Sequence, residues 1–192
     1  MPDKSQPAYI FKICLLGAGA VGKTCIARRL CFNSFDANTK LTIGIDFYTY
    51  DLPIIINEKE NFIRLSIWDF GGQEQFKRLF TYYIKGANGI FMVFELINLQ
   101  SLVNLDWWYE RLVEQKVDDT PKILLGTKQD LVSKVDEKSK INDLIIEQFL
   151  KRHDEQDFIK TSSKENVHIL RCFKDISKKI LETHDLAYDK LL

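Results

Sequence analysis

The amino-acid sequence predicts an α/β fold in which a mostly parallel six-stranded sheet, with one antiparallel edge strand, carries helices on both faces. Apolar runs typical of strands alternate with helical stripes along most of the 192 residues. A glycine-rich loop joins the first strand to the first helix, and the short connection 57–61 suits an antiparallel hairpin better than a crossover. The length fits one domain, which we expect at residues 9–184 between a flexible tail of residues 1–8 and a C-terminal tail of residues 185–192.

The first half of the chain contains three predicted strands and two predicted helices. The first strand, residues 9–16, ends in a continuous apolar run, as expected of a strand that is covered on both faces. In the helix that follows, over about residues 23–31, Ile26, Ala27 and Leu30 share one face. Polar residues 33–40 form a loop, strands at 43–52 and 62–69 form the hairpin, and a short helix ends near residue 83.

The second half of the chain alternates strand and helix without interruption. Apolar spacing predicts strands at 90–94, 122–125 and 157–159, and helices at about 102–112, 141–149 and 167–181. Such an order of elements favours a parallel sheet with helices on both faces.

Composition excludes several classes of function. Lys plus Arg and Asp plus Glu number 27 each, so no charge excess attracts nucleic acid or an anionic membrane, and a nucleic-acid partner is not expected. No apolar run approaches the roughly 18 residues that span a bilayer, and residues 1–7 lack the apolar core of a signal peptide. The four cysteines show no C-x-x-C spacing, which favours free thiols in a reducing compartment. We therefore expect a cytoplasmic protein without an intrinsic membrane anchor.

The segment 17–24 completes the phosphate-binding pattern G-x-x-x-x-G-K-[ST] between a strand and a helix. Gly17 and Gly22 allow the backbone to approach a ligand closely, so that successive N–H groups and the helix N-terminus point at one anion. Lys23 is expected to reach the β and γ phosphates, and Thr24 to bind the magnesium ion that accompanies a nucleoside triphosphate. The loop predicts nucleotide binding.

A second motif, Asp69-Phe70-Gly71-Gly72-Gln73, follows an apolar strand. Asp69 is positioned to hold the magnesium ion directly or through its waters. Gly72 allows a backbone N–H to approach the γ-phosphate, and Gln73 is chemically suited to orient an attacking water. A polar strand end followed by a glycine turn is the alternative interpretation of this segment.

Two further segments at strand ends could recognise the base. Asp130, after Thr127 and Lys128, offers a carboxylate that accepts two hydrogen bonds side by side, which suits the N1 and N2 donors of guanine. In the segment 161–164 a backbone N–H could donate to the guanine carbonyl oxygen. Taken alone, the first segment could equally be a solvated loop and the second a helix N-cap.

Together these motifs resemble a small GTPase of the Ras superfamily, in that family's order and spacing, over residues 9–183. The segments 42–47 and 82–87 are most similar to the Rab branch. The resemblance makes Thr42 the threonine of the first switch and Phe35 the aromatic residue that stacks on guanine. It implies catalytic roles for Gly19, Lys23, Gly72 and Gln73, and magnesium ligands at Thr24, Thr42 and Asp69. The implied nucleotide contacts are Gly17, Ala20, Val21, Gly22, Lys23, Thr24, Cys25, Phe35, Thr42, Gly72, Thr127, Lys128, Asp130, Ser162, Ser163 and Lys164.

By this resemblance the fold is a G domain of the phosphate-loop NTPase class, and the protein is a monomeric switch between GTP and GDP that requires Mg²⁺. Hydrolysis is expected to be slow without an activating partner, since no arginine is placed to act in cis. Exchange factors, activating proteins and effectors are expected at the switch regions, around Ile43, Phe47, Trp68 and Phe80. Membrane association is expected only through partners or a C-terminal tail absent from this sequence.

The sequence departs from the family pattern at three places. Thr127 replaces the usual Asn of the base-reading motif, as in Rho proteins. Phe70-Gly71 stands where Rab and Ras proteins usually have Thr-Ala, and the Gly-Gly pair is more like the Arf branch. The last cysteine is Cys172, within the final predicted helix, rather than a C-terminal prenylation site. A GTP-binding scaffold with little hydrolysis and an ATP-using phosphate-loop enzyme remain alternatives.

Overall fold

The computed structural model describes residues 6–192, apart from the side chains of Glu74 and Lys77. The first five residues of the predicted N-terminal tail lie outside this range. The strands are β1 (Tyr9–Leu16), β2 (Ile45–Ile56), β3 (Lys59–Phe70), β4 (Gly89–Glu95), β5 (Lys122–Thr127), β6 (Phe158–Lys160) and β7 (Lys190–Leu191).

The helices are α1 (Lys23–Phe32), α2 (Lys77–Tyr83), α3 (Leu99–Val103), α4 (Leu105–Glu114), α5 (Gln129–Val132), α6 (Asp143–Arg152) and α7 (Ile169–Thr183). Short 3₁₀ turns cover Glu74–Phe76 and Glu137–Ser139. Within residues 6–192 none of the helices has both the length and the apolar composition required to cross a bilayer.

The strands form one sheet in the order β6-β5-β4-β1-β3-β2-β7. Strand β1 pairs in parallel with β3 and β4, and β5 continues the parallel sheet from β4 to β6. Strand β2 runs antiparallel to β3 along its whole length, from Ile45 opposite Phe70 to Ile56 opposite Lys59. The predicted α/β fold, with its mostly parallel sheet and its early hairpin, is confirmed. The carboxyl ends of β1, β3 and β5 share one edge of the sheet, where ligands bind in open α/β folds.

Helices cover both faces of the sheet, as predicted. On one face α1 and α7 bury a core around Ile26, Phe173 and Ile176 against alternate residues of β1, β3 and β4. On the other face the helices from α2 to α6 bury a core that includes Phe80 and Trp108. This two-sided burial explains why β4 and β5 read as continuous apolar runs rather than as an alternating pattern.

The predicted count of six strands is wrong, because a seventh strand lies at the edge of the sheet. Lys190 and Leu191 pair with Ile55 and Ile54 of β2, so that β2 is not the outermost strand. This pairing falls within the predicted C-terminal tail, where Leu186, Tyr188 and Leu191 pack against the core. The strand has only two residues and no apolar period, so the sequence carried no signal for it.

Two predicted helices differ in detail from the structure. The stripe at 102–112 is divided between α3 and α4, which meet at Asn104. The last helix begins at Ile169 rather than at residue 167, because His168 has left-handed backbone angles, with φ of 59°. Apolar spacing alone detects neither a break of one residue nor a left-handed residue before a helix.

Candidate nucleotide and metal site

The phosphate-binding pattern forms the turn between β1 and α1, where its glycines are required by the backbone. Gly17 has φ of 150°, and a Cβ atom at this position would lie 2.1 Å from the carbonyl oxygen of Val93. Gly22 has φ of 101° and precedes the first residue of α1. The unpaired N–H groups at the start of α1 therefore face the same space as the turn, which suits an anion.

Lys23 lies inside this turn and is almost completely buried. Its ammonium group donates to the carbonyl oxygens of Gly17 at 2.9 Å and Ala18 at 2.7 Å. Burial lowers the pKa of Lys23 to about 8, and the negative charge of Asp69 opposes that shift. Phosphate oxygens would stabilise the ammonium form further, because an opposite charge nearby favours the charged state.

Three side chains from distant parts of the chain bring oxygen atoms together beside Lys23. The hydroxyl of Thr24 donates to Oδ2 of Asp69 at 2.5 Å, and that of Thr42 donates to the same oxygen at 3.1 Å. The two threonine oxygens lie 2.9 Å apart. The sequence distance between Thr24, on α1, and Asp69, on β3, shows that the fold itself creates this cluster.

The donor set of this cluster fits a magnesium ion. Mg²⁺ prefers carboxylate and hydroxyl oxygens, with the remaining positions filled by water and phosphate. The second carboxylate oxygen of Asp69, Oδ1, is buried and has no hydrogen-bond partner among residues 6–192. Burial raises the pKa of this carboxyl group, opposed by Lys23 and the two threonine hydroxyls. A bound cation would compensate both the unpaired oxygen and the buried charge.

The second motif lies against the phosphate-binding turn. A Cβ atom on Gly72 would lie 2.5 Å from the carbonyl oxygen of Gly17 and closer still to the backbone of Ala18 and Gly19, so only glycine fits here. The N–H of Gly71 donates to the carbonyl oxygen of Gly44 at 2.9 Å, which joins this segment to the loop that carries Thr42.

Gln73 extends along the wall of the cleft beside Gly19. A Cβ atom on Gly19 would contact Cγ of Gln73 at 3.9 Å and Cδ2 of Leu41 at 3.7 Å. Phe70, the residue that departs from the family pattern, points away from the cleft. It is buried in the core under α2, with its ring 6.3 Å from that of Phe80.

The two segments that are predicted to recognise the base meet on the other side of the turn. The hydroxyl of Thr127 is buried and lies within hydrogen-bond distance of the carbonyl oxygens of Val21, at 2.6 Å, and Phe94, at 2.9 Å. Thr127 thus ties the end of β5 to the phosphate-binding turn. Oδ1 of Asp130 accepts a hydrogen bond from the buried hydroxyl of Ser162 at 2.7 Å, which fixes the orientation of the carboxylate.

These segments enclose one cleft of about 450 Å³. Of the predicted site residues, its wall contains Gly19, Ala20, Gly22, Lys23, Thr24, Cys25, Phe35, Thr42, Gly72, Gln73, Thr127, Lys128, Asp130, Ser163 and Lys164. The other four, Gly17, Val21, Asp69 and Ser162, lie behind the wall and contact residues that form it.

Several residues of the wall were missed by sequence reasoning. They are Asp36, Ala37, Thr39, Lys40, Leu41 and Leu131. The first five belong to the polar loop 33–40 and its continuation, which the sequence identified as a loop in which only Phe35 was assigned a nucleotide contact. Glu95 was also missed, although its carboxylate forms an ion pair with Lys128 at 2.9 Å and thereby anchors the base-reading segment. No motif marks this acid, because its role depends on the pairing of β4 with β5.

Beside the cleft, aromatic side chains form an exposed surface across β2, β3 and the end of α2. The rings of Phe47 and Trp68 are 4.6 Å apart, and those of Trp68 and Tyr83 are 6.0 Å apart. Phe47 is 61% exposed and Ile43 is 79% exposed. The prediction that Phe80 belongs to this surface is wrong: it is 1% exposed and packs against Trp108.

Comparison with known proteins agrees with the family resemblance of the sequence motifs. A model of the Ras family matches residues 12–182. The chain is 34% identical to the Ras-related protein Rab-10 of Diplobatis ommata, over 90% of this chain and 82% of that protein. It is 33% identical to Rab-8A of Pongo abelii and 32% identical to Rab-13 of Rattus norvegicus, again over 90% of this chain and over 79% and 81% of those proteins.

Proposed function

The chain belongs to the Ras family of small GTPases and is similar to its Rab branch, and from this premise we propose how its own residues bind, sense and hydrolyse GTP. Members of the family are GTP-binding molecular switches and hydrolases acting on GTP, so the general activity follows from membership. The use of Mg²⁺, a slow intrinsic rate and the roles of individual residues constitute the proposal.

In this proposal the nucleotide lies along the cleft, with guanine between Asp130 and Ser163 and the phosphates in the turn at Lys23. The observation that carries it is the convergence, in one cleft, of the glycine-rich turn with Lys23, an oxygen cluster and the Asp130 carboxylate oriented by Ser162. Asp130 accepts from the N1 and N2 donors of guanine, which adenine does not offer. The N–H groups at the start of α1 bind the phosphate oxygens.

Thr24, Thr42 and Asp69 would hold the magnesium ion. A bound ion would supply positive charge that stabilises the negative phosphate oxygens. Thr42 belongs to the loop before β2, whereas Thr24 and Asp69 belong to the scaffold. Loss of the γ-phosphate therefore releases Thr42 and Gly72, and the two switch loops relax in the GDP state.

For hydrolysis, Gln73 orients a water in line with the γ-phosphate, and Lys23 together with the N–H groups of the turn stabilises the charge that develops there. Gly19 leaves space for this side chain and for an incoming group. The wall of the cleft, as far as residues 6–192 define it, contains no arginine. The unassisted rate is therefore on the order of 10⁻⁴ to 10⁻³ s⁻¹, and an activating protein supplies an arginine for faster turnover.

Effectors and regulators bind at the switch loops and at the surface formed by Ile43, Phe47, Trp68 and Tyr83. Solvent-exposed aromatic residues that lie together favour protein association. Ile43 follows Thr42 in the chain, and Trp68 precedes Asp69, whose carboxylate accepts from Thr42, so the arrangement of this surface depends on the bound nucleotide. We further propose that the protein is a cytoplasmic monomer.

The scaffold alternative loses its main support in the structure. It depended on Phe70 disturbing the second switch, yet Phe70 is buried under α2 and does not line the cleft. An ATP-using enzyme is disfavoured by the position of Asp130, whose carboxylate is fixed by Ser162 for a donor-rich base edge.

The proposal is tested on the purified protein by identifying the nucleotide released on denaturation, the metal that accompanies it, and the rate of phosphate release from GTP. We expect guanine nucleotide, Mg²⁺ in a 1:1 ratio and slow release that ceases when Mg²⁺ is chelated. Adenine nucleotide, or GTP binding that is indifferent to chelation, would contradict the proposal. Binding without measurable release over many hours would favour the scaffold alternative instead.

A further inference from the structure

Arg29, in the last turn of α1, holds the loop that is proposed to recognise the guanine carbonyl group. Its Nε donates to the carbonyl oxygen of Ser163 at 2.6 Å, and one terminal nitrogen donates to that of Lys164 at 3.2 Å. The other terminal nitrogen donates to the backbone oxygen and the side-chain oxygen of Asn33, at 2.8 Å and 3.0 Å. A single guanidinium group therefore joins the end of α1 to a loop 134 residues away in the sequence.

These contacts differ from those of an ordinary surface arginine. All hydrogen-bond acceptors of Arg29 within residues 6–192 are carbonyl or amide oxygens, and none is a carboxylate. The side chain is also half-buried. The planar fork of arginine donates in several fixed directions at once, which a lysine ammonium group does not reproduce. The geometry therefore fixes the position of the loop rather than balancing a charge.

The loop has two separate sets of attachments. On one side the hydroxyl of Ser162 donates to Asp130 and accepts from the N–H of Glu165 at 3.1 Å. On the other side the carbonyl groups of Ser163 and Lys164 are held by Arg29. Of the backbone N–H groups in the segment 161–164 that could donate to the guanine carbonyl oxygen, that of Ser163 lies between these two attachments. Because Asp130 is fixed by Ser162, removal of Arg29 frees the carbonyl-reading side and leaves the carboxylate in place.

We infer that Arg29 is a positioning residue for guanine selectivity, which acts through Ser163 on the 6-oxo group of the base and not on the amino edge. The inference rests on the proposed binding of the nucleotide in this cleft. The expected effect is confined to the 6-oxo side of the base, a pattern that a general loss of stability would not produce.

The experiment compares the dissociation constants of three diphosphates for the full chain with Mg²⁺ present. GDP has both the 6-oxo and the 2-amino group, inosine diphosphate keeps only the 6-oxo group, and 2-aminopurine riboside diphosphate keeps only the amino group. For Arg29→Met we expect binding of GDP and of inosine diphosphate to weaken by about five- to tenfold, as expected for one hydrogen bond. The dissociation constant of the 2-aminopurine compound should stay within about twofold of wild type. The ratio of this constant to that of inosine diphosphate, which measures the preference for the 6-oxo group, should therefore fall.

Arg28→Met is the matched control, because Arg28 precedes Arg29 on the same helix and makes none of these contacts with the loop. It should leave all three dissociation constants unchanged. Equal weakening of all three ligands by Arg29→Met, or no weakening, would overturn the inference while leaving the nucleotide site itself intact. Failure of the wild-type chain to bind GDP would instead reject the proposed function and this inference with it.

A second variant keeps the test decisive where the first does not fold. Arg29→Lys retains the charge and the helix propensity but offers one ammonium group in place of the fork. Circular dichroism and the thermal midpoint establish the folded state of each variant. We expect Arg29→Lys to lower the ratio of the dissociation constants of the 2-aminopurine compound and inosine diphosphate by about two- to fivefold. An unchanged ratio in a folded Arg29→Lys protein would overturn the role assigned to the planar guanidinium group.

Discussion

Alanine is the residue usual in Rab and Ras proteins at the position of Gly71. Gly71→Ala is expected to push the loop that carries Thr42 away from the segment that follows β3. Gly71 does not have a positive φ, so alanine can adopt its backbone conformation. The obstacle is space: its Cβ would lie 2.7 Å from the carbonyl oxygen of Thr42 and 3.0 Å from that of Gly44. Both neighbours are backbone atoms, which cannot rotate away as a flexible side chain would.

The magnitude follows from these distances. The contact with Thr42, at 2.7 Å, must lengthen by at least about 0.7 Å to reach an ordinary van der Waals distance. Overpacking of this kind costs about 1–3 kcal/mol. If this cost falls on the arrangement that brings Thr42 to Asp69, at 3.1 Å, and to Thr24, at 2.9 Å, the population of that arrangement falls by about 5- to 150-fold.

The assay measures dissociation of fluorescent GTP and GDP analogues in the presence of Mg²⁺. We expect GTP dissociation to accelerate by about 5- to 150-fold in Gly71→Ala, with GDP dissociation changed by less than about twofold, because only the triphosphate state requires Thr42. Gln75→Ala, an exposed substitution in the adjoining 3₁₀ turn, is the control and should change neither rate. A Gly71→Ala protein with the wild-type ratio of the two rates would refute this account of the glycine.

Three further substitutions test other parts of the site. Gln73→Leu should leave GTP binding intact and slow single-turnover phosphate release by about 100-fold; normal release would remove Gln73 from the mechanism. Asp130→Asn should weaken GDP binding by about 10- to 100-fold for each charge-assisted hydrogen bond lost, measured by equilibrium titration, whereas an ATP-using enzyme would be unaffected. Lys12 donates to the carbonyl oxygens of Tyr83, at 2.5 Å, and Lys85, at 3.0 Å, and lies 3.8 Å from the ring centre of Trp68. Lys12→Met should therefore lower the free energy of unfolding by about 1–3 kcal/mol in a urea titration, and an unchanged midpoint would show that these contacts contribute little.

Much of the fold was predictable because it depends on local patterns. Two-sided burial makes β4 and β5 continuously apolar, and helical spacing marks the faces of α1 and α7. The unpredicted strand β7 depends on long-range pairing with Ile54 and Ile55, for which two residues carry no periodic signal. The position of His168 before α7 is likewise a backbone property that apolar spacing does not encode.

The chemistry of the site was predictable from the sequence, because the phosphate-binding pattern and the acids at strand ends specify residue types at fixed spacing. Which of these groups meet depends on how the chain folds. The fold brings Thr42 and Thr24 to Asp69, and it removes Phe80 from the exposed surface. It also places Arg29 across the loop at Ser163. The physical reason is that spacing within a motif is local, whereas contacts between motifs depend on strand order and helix packing, which bring together residues far apart in the chain.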